Sequence, residues 1–320
     1  MDSPLSALAA DLMWSLWTEL GIPGILRNHA GFAIDPEPLI VVTPRLAGDD
    51  LRLVEEALRW CQVHGHRVSI GRLKALFTAR SADTRAHFSD FAVSLAEQGG
   101  PRWPRSGDLT TRFGKISGKV PPLLPVDRAA LVRFRLRGLS GLGARADVLA
   151  ELLARTGRWT GPGDLPDIGY TRRAISDVLA DLAETGLVNA LSEGRAIRYR
   201  LAEPSALAQL VGPLPGHFPW WSAIFLLVEL GLELDRSRER PANIRRVLAN
   251  ITAERILERL AMALELNNFP KTKENIDYYD VVMDWISTRV QEIVLGRSPA
   301  LELVPTGRYL IPRLAAPVNA

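Results

Sequence analysis

Between residues 170 and 201 the chain reads YTRRAISDVLADLAETGLVNALSEGRAIRYRL, and its apolar rhythm changes once along the way. Ile175, Val178, Leu179 and Leu182 recur at spacings of three and four, which gathers them on one face of a helix. Thr171 carries a hydroxyl suited to an N-cap, and Gly186 stands where a helix stops, since glycine enters the left-handed conformation without strain. The spacing predicts a helix over 171–185. Stepping about 100° per residue sets Arg173, Asp177, Ala180 and Glu184 opposite the apolar stripe, with Arg172 and Ser176 on its flanks. Only the first two turns offer arginine to solvent.

After Gly186 the period becomes two. Leu187 to Leu191 and then Ile197, Tyr199 and Leu201 read as two short strands, with Arg198 and Arg200 on the opposite face of the second. Ser192-Glu193-Gly194-Arg195 between them is a hairpin turn that leaves Arg195 near its tip. Upstream, Val148, Leu149, Leu152 and Leu153 predict an amphipathic helix over Arg145 to Thr156, and a short segment, Pro162 to Ile168, lies between the two helices.

Helix, short helix, capped helix and hairpin is the order of a winged helix-turn-helix. GDLPDIGYTRRAISDVLADLAETGLVNALSEGRAIRYRL resembles the winged-helix domains of ArsR-like and MarR-like bacterial transcription regulators, over residues 140 to 204 of this chain. In the resemblance YTRRAISDVLADL corresponds to the recognition helix, ETGLV to its exit and SEGRAIRYRL to the wing. Pro166 departs from the pattern, falling where the second helix would need a backbone donor, so that helix is one turn long or starts later.

The resemblance implies a helix whose amino-terminal end enters the major groove of double-stranded DNA, where arginine makes paired bonds to guanine. It implies Arg173 at a base, Arg172 and Ser176 at bases or phosphate, and Thr171 at phosphate. Arg195 would meet the backbone or the minor groove, with Arg198 behind it on the wing. Asp177 fits a groove only opposite a cytosine amino group or paired with a neighbouring arginine. The other meaning of such arginines is a solvated helix face.

Composition bounds the surroundings. The chain has 320 residues, 47% hydrophobic and 23% charged, which suits two or three ordinary globular domains. Its net charge of +3 excludes a histone-like electrostatic binder, so affinity for DNA must come from local patches and from pairing two copies. One candidate patch is Arg133, Arg135 and Arg137 in LVRFRLRG. Another runs from Arg102 to Lys119, with Arg105, Arg112 and Lys115 around Trp103. Basic residues beside an aromatic can track phosphates and stack a base, while the prolines and glycines there also fit a solvated linker.

Three domains are expected. Residues 1–125 read as a mixed α/β domain: EPLIVVTP is a short apolar strand ended by Pro44, DDLRLVEEALRWCQVHG a helix capped at Asp49 or Asp50 and stopped at Gly65, and HRVSIGRLKALF a strand followed by a helix. Residues 126–204 hold the winged helix. Residues 205–320 read as helical, with apolar periods over Phe218–Leu234, Asn243–Leu266 and Asn275–Leu295. Trp220, Trp221, Phe225 and Trp285 give these helices more apolar surface than one face needs, as a homodimer interface or a sensing domain would have.

No cofactor and no catalytic site are expected. Cys61, His64 and His66 cluster in CQVHGH, but no second cluster completes a zinc set, and a half-buried thiol beside a surface histidine is the reading favoured. The acidic pairs Asp49-Asp50, Glu55-Glu56 and Asp277 with Asp280 have no phosphate-binding loop beside them, and no nucleophile elbow or dinucleotide fingerprint occurs. Cys61 is the one cysteine, so no internal disulfide forms, in keeping with a reducing cytoplasm. The start MDSPLSALAADLMWSLW has no secretory pattern and reads as a helix carrying Leu8, Leu12, Leu16 and Leu20, and Glu229 and Glu233 break the longest apolar run before it could span a bilayer.

The expected fold class is therefore α+β and mostly α, with a central winged helix-turn-helix between a mixed region and a helical one. The expected function is a cytoplasmic, homodimeric, sequence-specific DNA-binding regulator, most simply a repressor. The alternative is an antitoxin-like component whose winged helix docks a partner protein.

Overall fold

The structure is a computed structural model that describes residues 5–48, 50–107, 113, 124–165, 168–260, 269–270 and 278–297. Five helices come first: α1 (Leu5–Glu19), α2 (Pro36–Leu46), α3 (Leu51–His64), α4 (Ile70–Thr78) and α5 (Ala82–Glu97). The central unit follows as α6 (Val132–Ser140), α7 (Ala144–Ala154), a 3-10 turn at Pro162–Asp164, α8 (Arg172–Glu184), β1 (Val188–Glu193) and β2 (Ala196–Leu201). The closing helices are α9 (Pro204–Val211), α10 (Trp221–Asp235), α11 (Ala242–Leu260) and α12 (Tyr278–Val294). The described residues are thus mostly helical, with a small two-stranded antiparallel sheet. Pro166, Asp49, Asp277, Arg112, Lys115, Lys119 and the expected helix ends past Leu260 and before Tyr278 lie outside the described residues.

The first region corrects the expectation of mixed α and β structure, since its described residues form helices and no strand. EPLIVVTP belongs to α2, and every residue of that helix is buried. A segment enclosed on all sides shows no apolar period, so an apolar run of this length reads equally as strand or helix. Pro36 opens the helix at a position whose N–H has no intrahelical partner, and the Thr43 hydroxyl bonds back to the Leu39 carbonyl at 2.7 Å one residue before Pro44. HRVSI likewise forms no strand: a 3-10 turn covers Gly65–Arg67, and the Ser69 N–H donates to Glu37 Oε1 at 2.8 Å instead of to a neighbouring strand. The cap of α3 does fall on Asp50, which accepts from the Leu53 N–H at 3.1 Å.

Two hydrophobic cores divide the molecule. The larger joins α1 to α5 with α10, α11 and α12, so the two ends of the described chain share one interior. Gly231 on α10 makes the closest approach possible, because a Cβ there would meet Leu5 Cδ2 at 2.6 Å and Ile286 Cγ2 at 2.7 Å. Trp221 and Phe225 are buried in this core and Trp220 and Trp285 pack against it. The apolar excess expected to mark an interface between copies is therefore taken up within the chain. The smaller core belongs to the central unit and gathers Val132, Leu136, Val148, Leu152, Ile175, Leu179, Leu182 and Tyr199.

Helix α6 and the 3-10 turn at Ala129–Leu131 before it stand between the cores, with Leu131 and Phe134 facing the larger one and Val132 and Leu136 the smaller. That position corrects the expected basic patch in LVRFRLRG. Arg133 and Arg137 are buried, and half-buried Arg135 donates to the backbone carbonyls of Val126, Arg128 and Pro213. Trp103 is also interior, stacked on Phe88 with ring centroids 6.2 Å apart, so it is no platform for a base.

A buried histidine closes the larger core near its edge. His29 Nδ1 lies 2.7 Å from the Ser15 hydroxyl and Nε2 2.9 Å from the Ile293 carbonyl, an arrangement that one neutral tautomer satisfies. Burial lowers its pKa to about 4, with the bond to Ile293 opposing that shift. The unfolded chain thus binds the extra proton first, and stability contributed above an ordinary pKa of about 6.5 is lost as pH falls toward about 4. A loss of about 3 kcal/mol is expected across that window. Urea unfolding from pH 7 to 4 measures it, and a His29→Gln protein with the same slope as wild type would assign the effect elsewhere.

Candidate nucleic-acid interface

The start of α8 is built as its sequence predicts. The Thr171 side chain accepts from the Ala174 N–H at 3.2 Å, and the helix ends before Gly186, whose φ is +73°. Ile175, Leu179 and Leu182 are buried, while Val178 is half-buried against the same core. The strands pair in the register Val188↔Leu201, Ala190↔Tyr199 and Ser192↔Ile197, so Gly194 and Arg195 form a two-residue turn shorter than the four residues expected. Thr160 exchanges both backbone hydrogen bonds with Tyr199 at 2.8 Å, which braces the hairpin on its inner edge.

Thr171, Arg172, Arg173 and Asp177 are all exposed at the amino-terminal half of α8, and Ser176 is half-buried beside them. Arg173 has 91% of its side chain exposed and its Nε 3.9 Å from Asp177 Oδ2. An ion pair so open to water holds Arg173 weakly. Arg195 is exposed at the hairpin turn. Arg198 differs from what the resemblance implied: Nε donates to Glu193 Oε2 at 2.7 Å and Nη1 lies 3.5 Å from Asp164 Oδ2, so two carboxylates already engage it.

Charge is polarised along α8. Arg172 and Arg173 occupy its first turn, where the helix dipole is also positive, and Asp177, Asp181 and Glu184 follow. Arg145 offsets Asp181 at 3.0 Å. A polyanion can therefore approach the amino-terminal end and not the far half. Two further basic side chains lie near the hairpin: Arg158, which no motif marks, and Arg200, which shares a face of the second strand with Arg198. Arg158 is exposed before the hairpin, and the Arg200 guanidinium lies 4.6 Å from the Trp159 ring centroid, a pairing that no period along one strand reveals.

What positions α8 is a buried cluster of four arginines and four carboxylates. Arg72 on α4 bonds Asp35 Oδ2 at 2.6 Å and also reaches Glu37 on α2. Arg137 meets Glu37 at 2.8 Å and Asp147 on α7 at 3.1 Å, and Arg133 meets Glu151 at 2.6 Å, which also takes Arg155 at 3.0 Å. Tyr170, the residue before the cap of α8, donates its hydroxyl to Asp147 Oδ2 at 2.8 Å, and Arg72 donates to the Ile168 carbonyl. Burial alone would raise the Asp147 carboxyl; the guanidinium groups of Arg137, Arg72 and Arg133 outweigh it and hold the group well below the usual carboxylate range. Opposite charges in equal number are a condition under which such a cluster survives inside a protein, and here the Nη groups carry the pairing while Arg133 Nε and Arg137 Nε are buried without a hydrogen-bond partner. It ties the larger body to the segment that leads into α8.

The residues considered for metal chemistry do not assemble. Cys61 is buried, and burial pushes its thiol well above the ordinary value, away from the thiolate a metal needs. His64 is buried too, 5.0 Å from the Trp60 ring, which corrects the expected surface histidine. Of the acidic pairs, Asp50 is occupied as a cap and also accepts from Trp14 Nε1 at 2.6 Å. Among the described residues no group of three or more histidine, cysteine, aspartate or glutamate side chains could hold a metal ion, and no helix is long and apolar enough to cross a membrane. No family model, curated protein or solved structure matches the chain.

Proposed function

We propose that this chain is a sequence-specific DNA-binding transcriptional regulator of the cytoplasm that uses its central unit as a winged helix. One observation carries the proposal. The first turn of α8 sets Arg172 and Arg173 into solvent at a helix amino terminus, on a unit with its own core, with a hairpin beside it that ends at Arg195. A helix presented end-on in this way fits the major groove, and the hairpin reaches the flanking backbone. Arg173 is the candidate for a base contact, Arg172 and Thr171 for phosphate, and Arg198 stiffens the wing through its two carboxylates.

A homodimer belongs to the same proposal, because one winged unit covers little DNA. Ile244, Val247 and Ile251 supply apolar surface for it: they are exposed on one side of α11 while the tryptophans nearby are not. The test is a titration of the purified protein against duplex from upstream of its own gene and against random duplex, over a salt series. The upstream duplex should bind at nanomolar to sub-micromolar concentration with two chains per site, and affinity should fall steeply with salt as phosphates exchange counterions for arginine. Equal affinity for both duplexes at every salt defeats the proposal.

A second reading is favoured by a different observation. Leu187 at the base of the hairpin and Leu191 and Ile197 on its two strands are each exposed by more than two fifths, apolar surface that suits a protein partner better than phosphates. On that reading the unit docks a partner protein, as an antitoxin does, and the duplex titration gives salt-sensitive binding without sequence preference.

A further inference from the structure

A cavity of about 780 Å³ opens where the larger body meets the start of α8. Its size falls in the range of small-molecule sites, about 300–1,000 Å³. Three helices make the room by placing small residues along the wall: Ala75 on α4 and Ala79 at its C-cap, Ala174 on α8 and Ala223 on α10. Leu76, Trp220, Leu226 and Leu260 complete an apolar wall.

The charged residues of the wall are both cationic. Arg80 is buried, and its Nη1 donates to Glu229 Oε2 at 2.8 Å, so its charge is matched. Arg259 is exposed at the edge and has no ion-pair partner among the described residues. No acidic side chain lines the cavity among those residues. Among the described residues the wall is thus mostly apolar with one guanidinium outside any ion pair, a combination that selects a ligand with an apolar body and a single carboxylate, which a guanidinium can take by paired hydrogen bonds.

The inner wall includes Tyr170, Thr171 and Ala174. Thr171 caps α8, Ala174 donates to that cap, and Tyr170 holds Asp147 in the buried cluster. The same helical turn thus faces the cavity on one side and carries Arg172 and Arg173 on the other.

We propose that the cavity binds an amphipathic monocarboxylate, and that the first turn of α8 reports its occupancy to the arginine-bearing surface. The regulatory half rests on the DNA-binding reading above; the ligand site does not. Binding that orders or shifts this turn must change DNA affinity, and DNA must change ligand affinity by the same factor.

The experiment uses the full chain with decanoate and 4-phenylbutyrate as probes and the corresponding primary alcohols as neutral controls. Calorimetry should give saturable, one-to-one binding of at least one acid, with its alcohol at least about tenfold weaker. Arg259→Gln should bring the acid down to the level of the alcohol. Ala75→Trp, at an exposed position that points a bulky ring into the cavity, should abolish both while leaving the circular dichroism spectrum intact. Absence of saturable binding by either acid, equal binding of acid and alcohol, or indifference to Ala75→Trp overturns the site. Amide exchange of Arg173, Ala174 and Ile175 should change about fivefold or more on binding, and the affinity for upstream duplex by a similar factor. Unchanged exchange with the ligand bound overturns the coupling. Altered exchange in a protein that binds no DNA sustains the inference and defeats the DNA-binding proposal instead.

Discussion

Asp147→Asn will destabilise the chain by about 3–5 kcal/mol, because it removes one negative charge from a buried cluster in which charges are matched. Arg137, Arg133 and the Tyr170 hydroxyl all lose an ionised acceptor at once. Pairing the change with Arg137→Met restores charge balance, so the double variant should lose less than the sum of the two single ones. Urea unfolding of the four proteins measures it. A single-variant loss below about 1 kcal/mol, in the range of an exposed pair, would mean that water reaches the cluster. The pH dependence has a definite sign: Asp147 and Asp35 have folded pKa values below their ordinary ones, so their contribution is present above about pH 4 and disappears as pH falls further. That window lies below the one in which His29 acts.

The second large effect is a crossed pair of substitutions. Leu179 is fully buried, and Leu179→Ala should lose about 2–5 kcal/mol of folding stability through the cavity it leaves. Arg173, almost wholly exposed, should do the reverse. Arg173→Ala is expected to leave the melting temperature nearly unchanged and to cost about 1–3 kcal/mol of specific DNA affinity if it makes a bidentate base contact. Melting curves and duplex titrations on the same preparations give both values. An Arg173→Ala protein that melts early while its folded fraction binds DNA unchanged would place Arg173 in the scaffold and not at the interface.

The parts of the fold legible in sequence were those whose burial is one-sided. Helix α8 and the hairpin each bury one face, so Ile175, Leu179 and Tyr199 fall at regular spacings and Thr171 and Gly186 punctuate them. Helix α2 was read as a strand for the opposite reason, since it is enclosed all round and carries no period. Arg133 and Arg137 looked like surface because arginine usually is. What buries Arg137 is Glu37, a hundred positions away, and no local pattern encodes that meeting. The exposure of Thr171, Arg172, Arg173, Asp177 and Arg195 was legible for the same reason as the helix, whereas the pairing of Arg198 was not, since its carboxylate partners Glu193 and Asp164 come from the end of β1 and from a separate loop. The cavity was invisible because its alanines lie on α4 and its C-cap, on α8 and on α10, and come to share a wall only when those helices converge.

The interior shared by α1 and α12 also sets a timetable for synthesis. As the chain leaves the ribosome, α1 and α2 appear early but lack the apolar faces of α10 and α12 that cover them. The central unit is in a different position, since nearly all of its core lies between Val132 and Phe218. It can close soon after β2 emerges, as domains that fold as units do during synthesis. The nascent protein therefore acquires its central unit before its body, and α1 to α5 wait, with their apolar surface open to chaperones, until α12 has been made.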